Sequence, residues 1–133
     1  MTLYKVFALP ILSVFLYGCN YPLSFYKASQ LVNNNNGIEA DIEFESLKGT
    51  YCFSLKKTSP GEGSMFCFAS LQEGTIKVSL YQTLLNGKFQ LFTINGGETF
   101  SDYRGYVETK QKYIIVIESE DVSKIGKFTF NIN

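Results

Sequence analysis

The most reactive side chains of this 133-residue sequence are its three cysteines, Cys19, Cys52 and Cys67, and the sequence contains no histidine. Histidine is the commonest general base and a frequent metal ligand, so its absence argues against most hydrolytic and metal-dependent mechanisms. Ser-x-x-Lys motifs occur at 24–27 and 54–57. The acyl-transfer site that uses this motif needs it at a helix start in a much larger protein. The sequence therefore predicts a protein that is not an enzyme and uses no cofactor or metal.

Cys52 and Cys67 are predicted to form a disulfide bond. If Thr50–Lys57 and Met65–Leu71 pair as a hairpin around the breaker-rich loop at 58–64, the register that places Cys52 opposite Cys67 also places aromatic residues opposite each other. Directly opposed strand residues approach within about 4.5–5.5 Å between Cα atoms, which suits a disulfide. The alternative is two buried free thiols.

Residues 1–18 have the features of an export signal. Lys5 gives the start of the chain a positive charge, and Val6–Gly18 is apolar apart from one serine. That apolar run is shorter than the roughly 20 residues that span a bilayer as a helix. A basic start, a short apolar core and a small residue before the break are typical of a signal peptide.

The end of this segment indicates a lipid anchor. The sequence Leu16-Tyr17-Gly18-Cys19 resembles the lipobox of bacterial lipoprotein precursors. The resemblance implies cleavage after Gly18, diacylglyceryl transfer to the Cys19 thiol and acylation, for instance with palmitate, of the new amino terminus. The alternative is an ordinary signal peptide with a chance cysteine. Asn20 is not aspartate, which by the same resemblance implies outer-membrane placement if the host has two membranes.

The composition of the chain after the predicted signal limits the kinds of partner it can bind. Lys5 leaves with the signal, so twelve basic side chains become eleven against twelve acids. No basic stripe is present to bind phosphates, so the sequence predicts no nucleic-acid partner. Twelve Phe and nine Tyr can supply a large apolar core for one domain.

The pattern after the signal predicts a tether followed by one β domain. Residues 19–36 contain Pro22 and the polar run Asn33–Asn36, and are predicted to form a flexible, lipid-anchored tether. Residues 37–133 are predicted to form a single antiparallel, jelly-roll-like β-sandwich of about eight strands and no helix. The predicted strands are 38–44, 50–57, 65–71, 74–82, 88–94, 103–109, 112–119 and 127–133.

Two of these strands differ in character. Ile38–Phe44 alternates apolar residues with acids, which places it near a sheet edge or on an exposed face. Tyr113–Ile117 is continuously apolar, which predicts a central strand covered on both faces.

Four segments of the second half carry a further likeness: Gly74–Leu80, Lys88–Ile94, Lys112–Ile117 and Gly126–Ile132. Their closing phrase, Tyr-x-Ile-x-Val followed by Gly-x-Phe-x-Phe, resembles that of bacterial pre-peptidase C-terminal domains. Those domains are small secreted β-sandwiches, so the resemblance implies a binding or accessory module.

Binding is predicted in the loops 84–87, 95–104 and 118–125, because sandwich scaffolds display function at their ends. The predicted binding residues are Phe100, Asp102, Tyr103 and Arg104. The acids of the last loop are either solvated or a calcium site with backbone carbonyls: Glu118, Glu120 and Asp121. Three tyrosines either form an exposed aromatic platform or pack on the sandwich: Tyr81, Tyr103 and Tyr106.

The sequence thus predicts a lipid-anchored module of the cell envelope that binds and does not catalyse. Its partners would be the membrane, through the N-terminal lipid, and an envelope protein or a glycan. The alternative function is a membrane-anchored inhibitor, immunity or exclusion factor that blocks an enzyme or a surface receptor.

Overall fold

The structure is a computed structural model that describes residues 22–82, 87–108 and 110–133. Within these ranges the chain forms eight β-strands and no helix: β1 (Phe25–Ser29), β2 (Val32–Asn35), β3 (Glu39–Lys56), β4 (Gly63–Glu73), β5 (Thr75–Gln82), β6 (Gly87–Asn95), β7 (Thr99–Val107) and β8 (Lys112–Asn131). Every pairing is antiparallel. The predicted all-β fold of about eight antiparallel strands is confirmed. Nothing in these ranges is a helix long and apolar enough to cross a bilayer.

Two long strands, β3 and β8, organise the molecule. They pair along nearly their whole length, with Ala40 opposite Phe130 near one end and Phe53 opposite Ile115 near the other. The register shifts at Gly49, where β8 contributes extra residues. Gly49 has a φ of 107°, and a Cβ there would collide with the backbone of β1. A bulge of this kind bends a strand pair, so the sheet can fold over itself.

The bulge divides the sheet into two layers that share β3 and β8. The first layer has the order β2-β3-β8-β4-β7 and uses residues 39–47 and 123–131 of the long strands. The second has the order β3-β8-β5-β6 and uses residues 49–56 and 112–119 of the long strands. β1 extends it at the β3 edge, where it pairs with residues 46–50 across the bulge. Alternate residues of both layers enter one buried core, and β4 and β7 contact β6 across it. The fold is therefore a β-sandwich built from one continuous sheet.

The prediction of a flexible tether over 19–36 is wrong for most of residues 25–35, because β1 and β2 lie there as edge strands. Phe25 pairs with Thr50, and Val32 pairs with Glu43. Their side chains are mostly exposed, so backbone hydrogen bonds rather than a buried side-chain face hold them, and no apolar alternation revealed them. The predicted signal segment 1–18 and Cys19 lie outside the described residues.

Two predicted breaks in the chain do not occur. The gap between the predicted strands 38–44 and 50–57 and the predicted loop at 118–125 lie inside β3 and β8, so each long strand replaces two predicted ones. Gly126 explains part of the difference. It lies beneath the ring of Phe44, and any Cβ there would overlap that ring. This glycine permits close packing and ends no strand.

The prediction for Tyr113–Ile117 is confirmed. Tyr113, Ile115 and Ile117 enter the main core. Ile114 and Val116 point to the outer side of the second layer, where they form a second buried apolar cluster. This part of β8 lies between β3 and β5, so it is central in the sheet.

Candidate binding surface

Cys52 and Cys67 lie on opposite sides of the sheet, so the predicted disulfide is wrong. The hairpin on which it depended does not form: Cys52 pairs with Val116 in the second layer, and Cys67 pairs with Phe130 in the first. Cys52 faces outward and Cys67 faces the core, and both thiols are free. Burial raises the pKa of both thiols, to about 12 for Cys67. Neither is therefore prepared to act as a nucleophile.

The four predicted binding residues lie on strand β7, and the structure separates them. Phe100, Asp102 and Arg104 pair with core-facing residues of β4, whereas Tyr103 points to the other side of the layer. The ring of Phe100 stacks on Phe92 of β6 at 4.3 Å between centroids. The Arg104 guanidinium lies 5.0 Å from the Phe100 centroid, and its Nε is 3.2 Å from the Asp102 carboxylate. These three side chains close the open edge of the sandwich between β6 and β7.

Tyr103 belongs to a group of aromatic rings on the outer face of the first layer. Its side chain is 65% exposed, and its ring lies edge-on to Phe66, 5.3 Å away between centroids. A register shift after Arg104 inserts an extra residue in β7, so that Tyr106 also points outward and is 49% exposed. Phe68 follows Phe66 on the same side of β4 and is half-buried. We call this group the aromatic surface: Phe66, Phe68, Tyr103 and Tyr106.

The hydroxyl of Tyr106 is fixed between two carboxylates. It donates to Glu62 and lies 3.1 Å from an oxygen of Glu108. The hydrogen bond to Glu62 is the main cause of a raised Tyr106 pKa, because it stabilises the protonated phenol. This end of the aromatic surface therefore presents an oriented ring.

A polar strip borders the aromatic surface on β8 and β3. Asn131 lies opposite Phe66, and Thr129 lies opposite Phe68. The Thr129 hydroxyl donates to the Asp41 carboxylate at 2.7 Å. Beyond the strip, β3 presents the acids predicted for an exposed face: Glu39, Asp41, Glu43 and Glu45. The outer face of the first layer thus places aromatic rings beside an amide, a hydroxyl and several carboxylates.

The acids considered as calcium ligands line one depression without converging on a common point. Glu118 lies on β8 between two lysines, 4.0 Å from the Lys77 ammonium and 3.4 Å from that of Lys88. Glu120 and Asp121 occupy the bulge of β8. Across 22–82, 87–108 and 110–133, no group of three acidic, cysteine or histidine side chains could hold a metal ion. Of the predicted loop at 84–87, residues 84–86 lie outside the described ranges.

Of the aromatic surface, the sequence analysis listed Tyr103 as a predicted binding residue and Tyr106 as a candidate platform tyrosine. It did not list Phe66 or Phe68. Phe66 and Phe68 were expected to face aromatic residues of a neighbouring hairpin strand, which the structure replaces with β7 and β8. Of the three tyrosines, Tyr103 and Tyr106 are exposed and Tyr81 is buried. A signal for the surface was present: residues 65–71 place apolar side chains on both faces, more than one core needs.

The chain matches no protein-family model and no curated protein. Solved structures give weak likenesses. A mutant family 29 carbohydrate-binding module is 19% identical over 80% of this chain and 73% of its own, with a TM-score of 0.44. A family 6 carbohydrate-binding module is 18% identical over 83% and 88%, with a TM-score of 0.43. Protein NMB1881 from Neisseria meningitidis is 15% identical over 80% and 87%, with a TM-score of 0.35. Likenesses at this level do not identify a ligand for this chain.

Proposed function

We propose that this protein is a lipid-anchored, non-catalytic module of the cell envelope that binds a glycan on its aromatic surface. The observation that carries the proposal is the exposed ring of Tyr103, packed edge-on against Phe66 beside the polar strip of Asn131 and Thr129. Exposed contiguous apolar area on a soluble domain marks an interaction site more often than scattered apolar residues do.

The chemistry of this surface suits a sugar chain. Pyranose rings have an apolar C–H face that packs on an aromatic ring, and hydroxyl groups at their rim that need hydrogen-bond partners. The rings of Phe66 and Tyr103 supply the first contact. The Asn131 amide and the Asp41 carboxylate, which already accepts from Thr129, supply the second. The surface is open along the strands, so a chain could pass across it.

The anchor is part of the same proposal. The lipobox-like residues end at Cys19, and the sheet begins at Phe25. Lipidation of Cys19 would leave only a few residues between bilayer and sheet. The module would therefore act close to the membrane surface, where it could hold an envelope glycan or present it to another protein.

The test is a binding assay with matched aromatic variants. Protein purified from the envelope is titrated with peptidoglycan fragments and envelope polysaccharides in a calorimeter. Tyr103→Ala should weaken binding about tenfold or more, since a stacked ring contributes on the order of 1–2 kcal/mol. Phe25→Ala removes a ring that is even more exposed, on the other side of the sandwich, and should leave binding unchanged.

Two outcomes would contradict the proposal. Equal losses of glycan affinity in Tyr103→Ala and Phe25→Ala would show that the aromatic surface is not the binding site. Capture of a single stoichiometric envelope protein on the same surface, with no glycan bound, would favour the inhibitor, immunity or exclusion factor instead.

A further inference from the structure

The charges of this chain are divided between the two outer faces of the sandwich. The first layer presents its four acids on β3, with Lys127 as a partner 3.8 Å from Glu43. The outer face of the second layer is basic, and we call it the lysine face. Its lysines are all exposed: Lys27, Lys48, Lys56, Lys77, Lys88 and Lys112. Net charge near zero conceals this division.

The register places these lysines on one side. Lys27 pairs with Lys48, and Lys56 pairs with Lys112. Lys77 lies opposite Glu118, whose carboxylate is on the same side of the sheet. Glu118 is held between two of the lysines and neutralises only part of their charge. Glu120 and Asp121 of the β8 bulge line the same depression as Lys48, Lys77 and Glu118. Three acids therefore accompany six lysines, and the face keeps a positive balance.

Exposed apolar side chains lie at the edge of the same face. Phe25 pairs with Thr50, which in turn pairs with Glu118, so its ring is on the lysine side. Phe25 is 87% exposed and Leu23 is 46% exposed. The Cys52 N–H donates to the Ser24 hydroxyl at 2.8 Å, which holds this segment against β3. A fixed, exposed aromatic ring beside lysines is typical of segments that enter a membrane interface.

The chain leads from this edge to the proposed anchor. Phe25 is six residues from Cys19, and six extended residues span at most about 20 Å. Because β1 is paired with β3, the anchor cannot reach the far side of the sandwich freely. A lipid at Cys19 would bring the edge that carries Leu23 and Phe25 to the bilayer first.

We propose that the lysine face lies on an anionic membrane surface, with Leu23 and Phe25 entering the interface. This inference rests on the proposed anchor, and it adds an orientation to it. Each lysine near an anionic surface favours contact about fivefold, and a lipid with a polybasic face gives the two signals that stable attachment needs. The aromatic surface then points away from the membrane, toward its ligand.

The test measures lysine reactivity on vesicles. Envelope-purified protein is placed in vesicles of phosphatidylcholine alone or of equal parts phosphatidylcholine and phosphatidylglycerol. It is then labelled with an amine-reactive reagent and analysed by mass spectrometry. Lys27, Lys48 and Lys77 should be protected on the anionic vesicles, and high salt should remove the protection. Lys127 should label equally on both.

Matched variants separate charge from structure. Lys27→Gln, Lys48→Gln and Lys77→Gln together should weaken the face-down orientation about 100-fold and return Lys88 and Lys112 to their labelling rates on neutral vesicles. The control replaces acids of the other layer, Glu39→Gln, Asp41→Asn and Glu43→Gln, and should leave the protection intact.

The intact mass of the same protein separates failure of the anchor from failure of the orientation. A mass without lipid on Cys19 refutes the anchor. The unlipidated protein is then tested for flotation with anionic vesicles. Flotation that disappears in the triple lysine variant would still support membrane contact through the lysine face. No flotation of the unlipidated protein would overturn that contact. Lipidated protein whose lysines label equally on both vesicle types overturns the inference and leaves the glycan site standing.

Discussion

The two outer faces of the sandwich are made from the same two strands and have opposite chemistry. Along β3 the outward positions are acids up to Glu45, and after the bulge they become Thr50, Cys52, Ser54 and Lys56. Along β8 they change from Lys112 in one layer to Thr129 and Asn131 in the other. One bulged strand pair therefore gives a small protein two separate surfaces. The overall charge and composition of the chain therefore describe neither of these two surfaces.

The largest expected effect tests whether the two surfaces belong to one cooperative unit. Phe130 is fully buried and enters the core that both layers share. Phe130→Ala should lower the free energy of unfolding by about 3–5 kcal/mol, through lost burial and a cavity. Phe25→Ala should change it by about 0.5 kcal/mol or less. Denaturant unfolding followed by circular dichroism and by tyrosine fluorescence measures both. A variant in which one layer melts before the other would contradict the shared core.

A smaller effect tests whether the Cys67 thiol is buried in the core, through the pH dependence of the free energy of unfolding. Its pKa is raised from 9.0 to about 12 because burial disfavours the thiolate. Below pH 9 the Cys67 thiol is protonated in both the folded and the unfolded protein, so its contribution to the free energy of unfolding is fully present. Between pH 9 and 12 the unfolded chain ionises first, so the free energy of unfolding should fall by about 1.4 kcal/mol per pH unit. Cys67→Ala should lose this part of the slope. Parallel pH curves for the two proteins would refute the buried thiol.

The smallest effect concerns the closed edge between β6 and β7. Arg104→Ala removes a cation–π contact with Phe100 and an exposed ion pair with Asp102. We expect a loss of about 1 kcal/mol, nearly all from the ring contact, because exposed ion pairs contribute little. Asp102→Asn, the control, should change stability by about 0.5 kcal/mol or less. Glycan binding should survive both changes, since neither side chain is on the aromatic surface. Loss of binding in either would move the site to this edge.

The sequence was sufficient for the fold class and for the alternation within each strand. Ile38–Phe44 and Tyr113–Ile117 lie as their patterns predicted, because alternation reports which side of a strand is buried. Pairing partners were not predictable in the same way. The hairpin that joined Cys52 to Cys67 satisfied every local rule, and β8 nevertheless pairs with both strands. Long-range pairing depends on the whole core, which no single segment encodes.

The candidate site was predictable only in part for the same reason. Tyr103 was named from its loop-like surroundings, yet its neighbour Phe66 comes from a strand that is distant in sequence. The edge strands at 25–35 were missed because they bury little and pair through their backbones. The lysine face was missed because its members come from five strands and have no spacing in common.

The account's central claim is that ligand binds the outer face of the first layer. The direct measurement is a backbone amide NMR titration of the mature protein with the glycan that binds it. The claim predicts shift changes at Phe66, Tyr103 and Asn131, and none at Ser79 or Val116 on the lysine face. Shift changes confined to the lysine face, or spread equally over both faces, would contradict it.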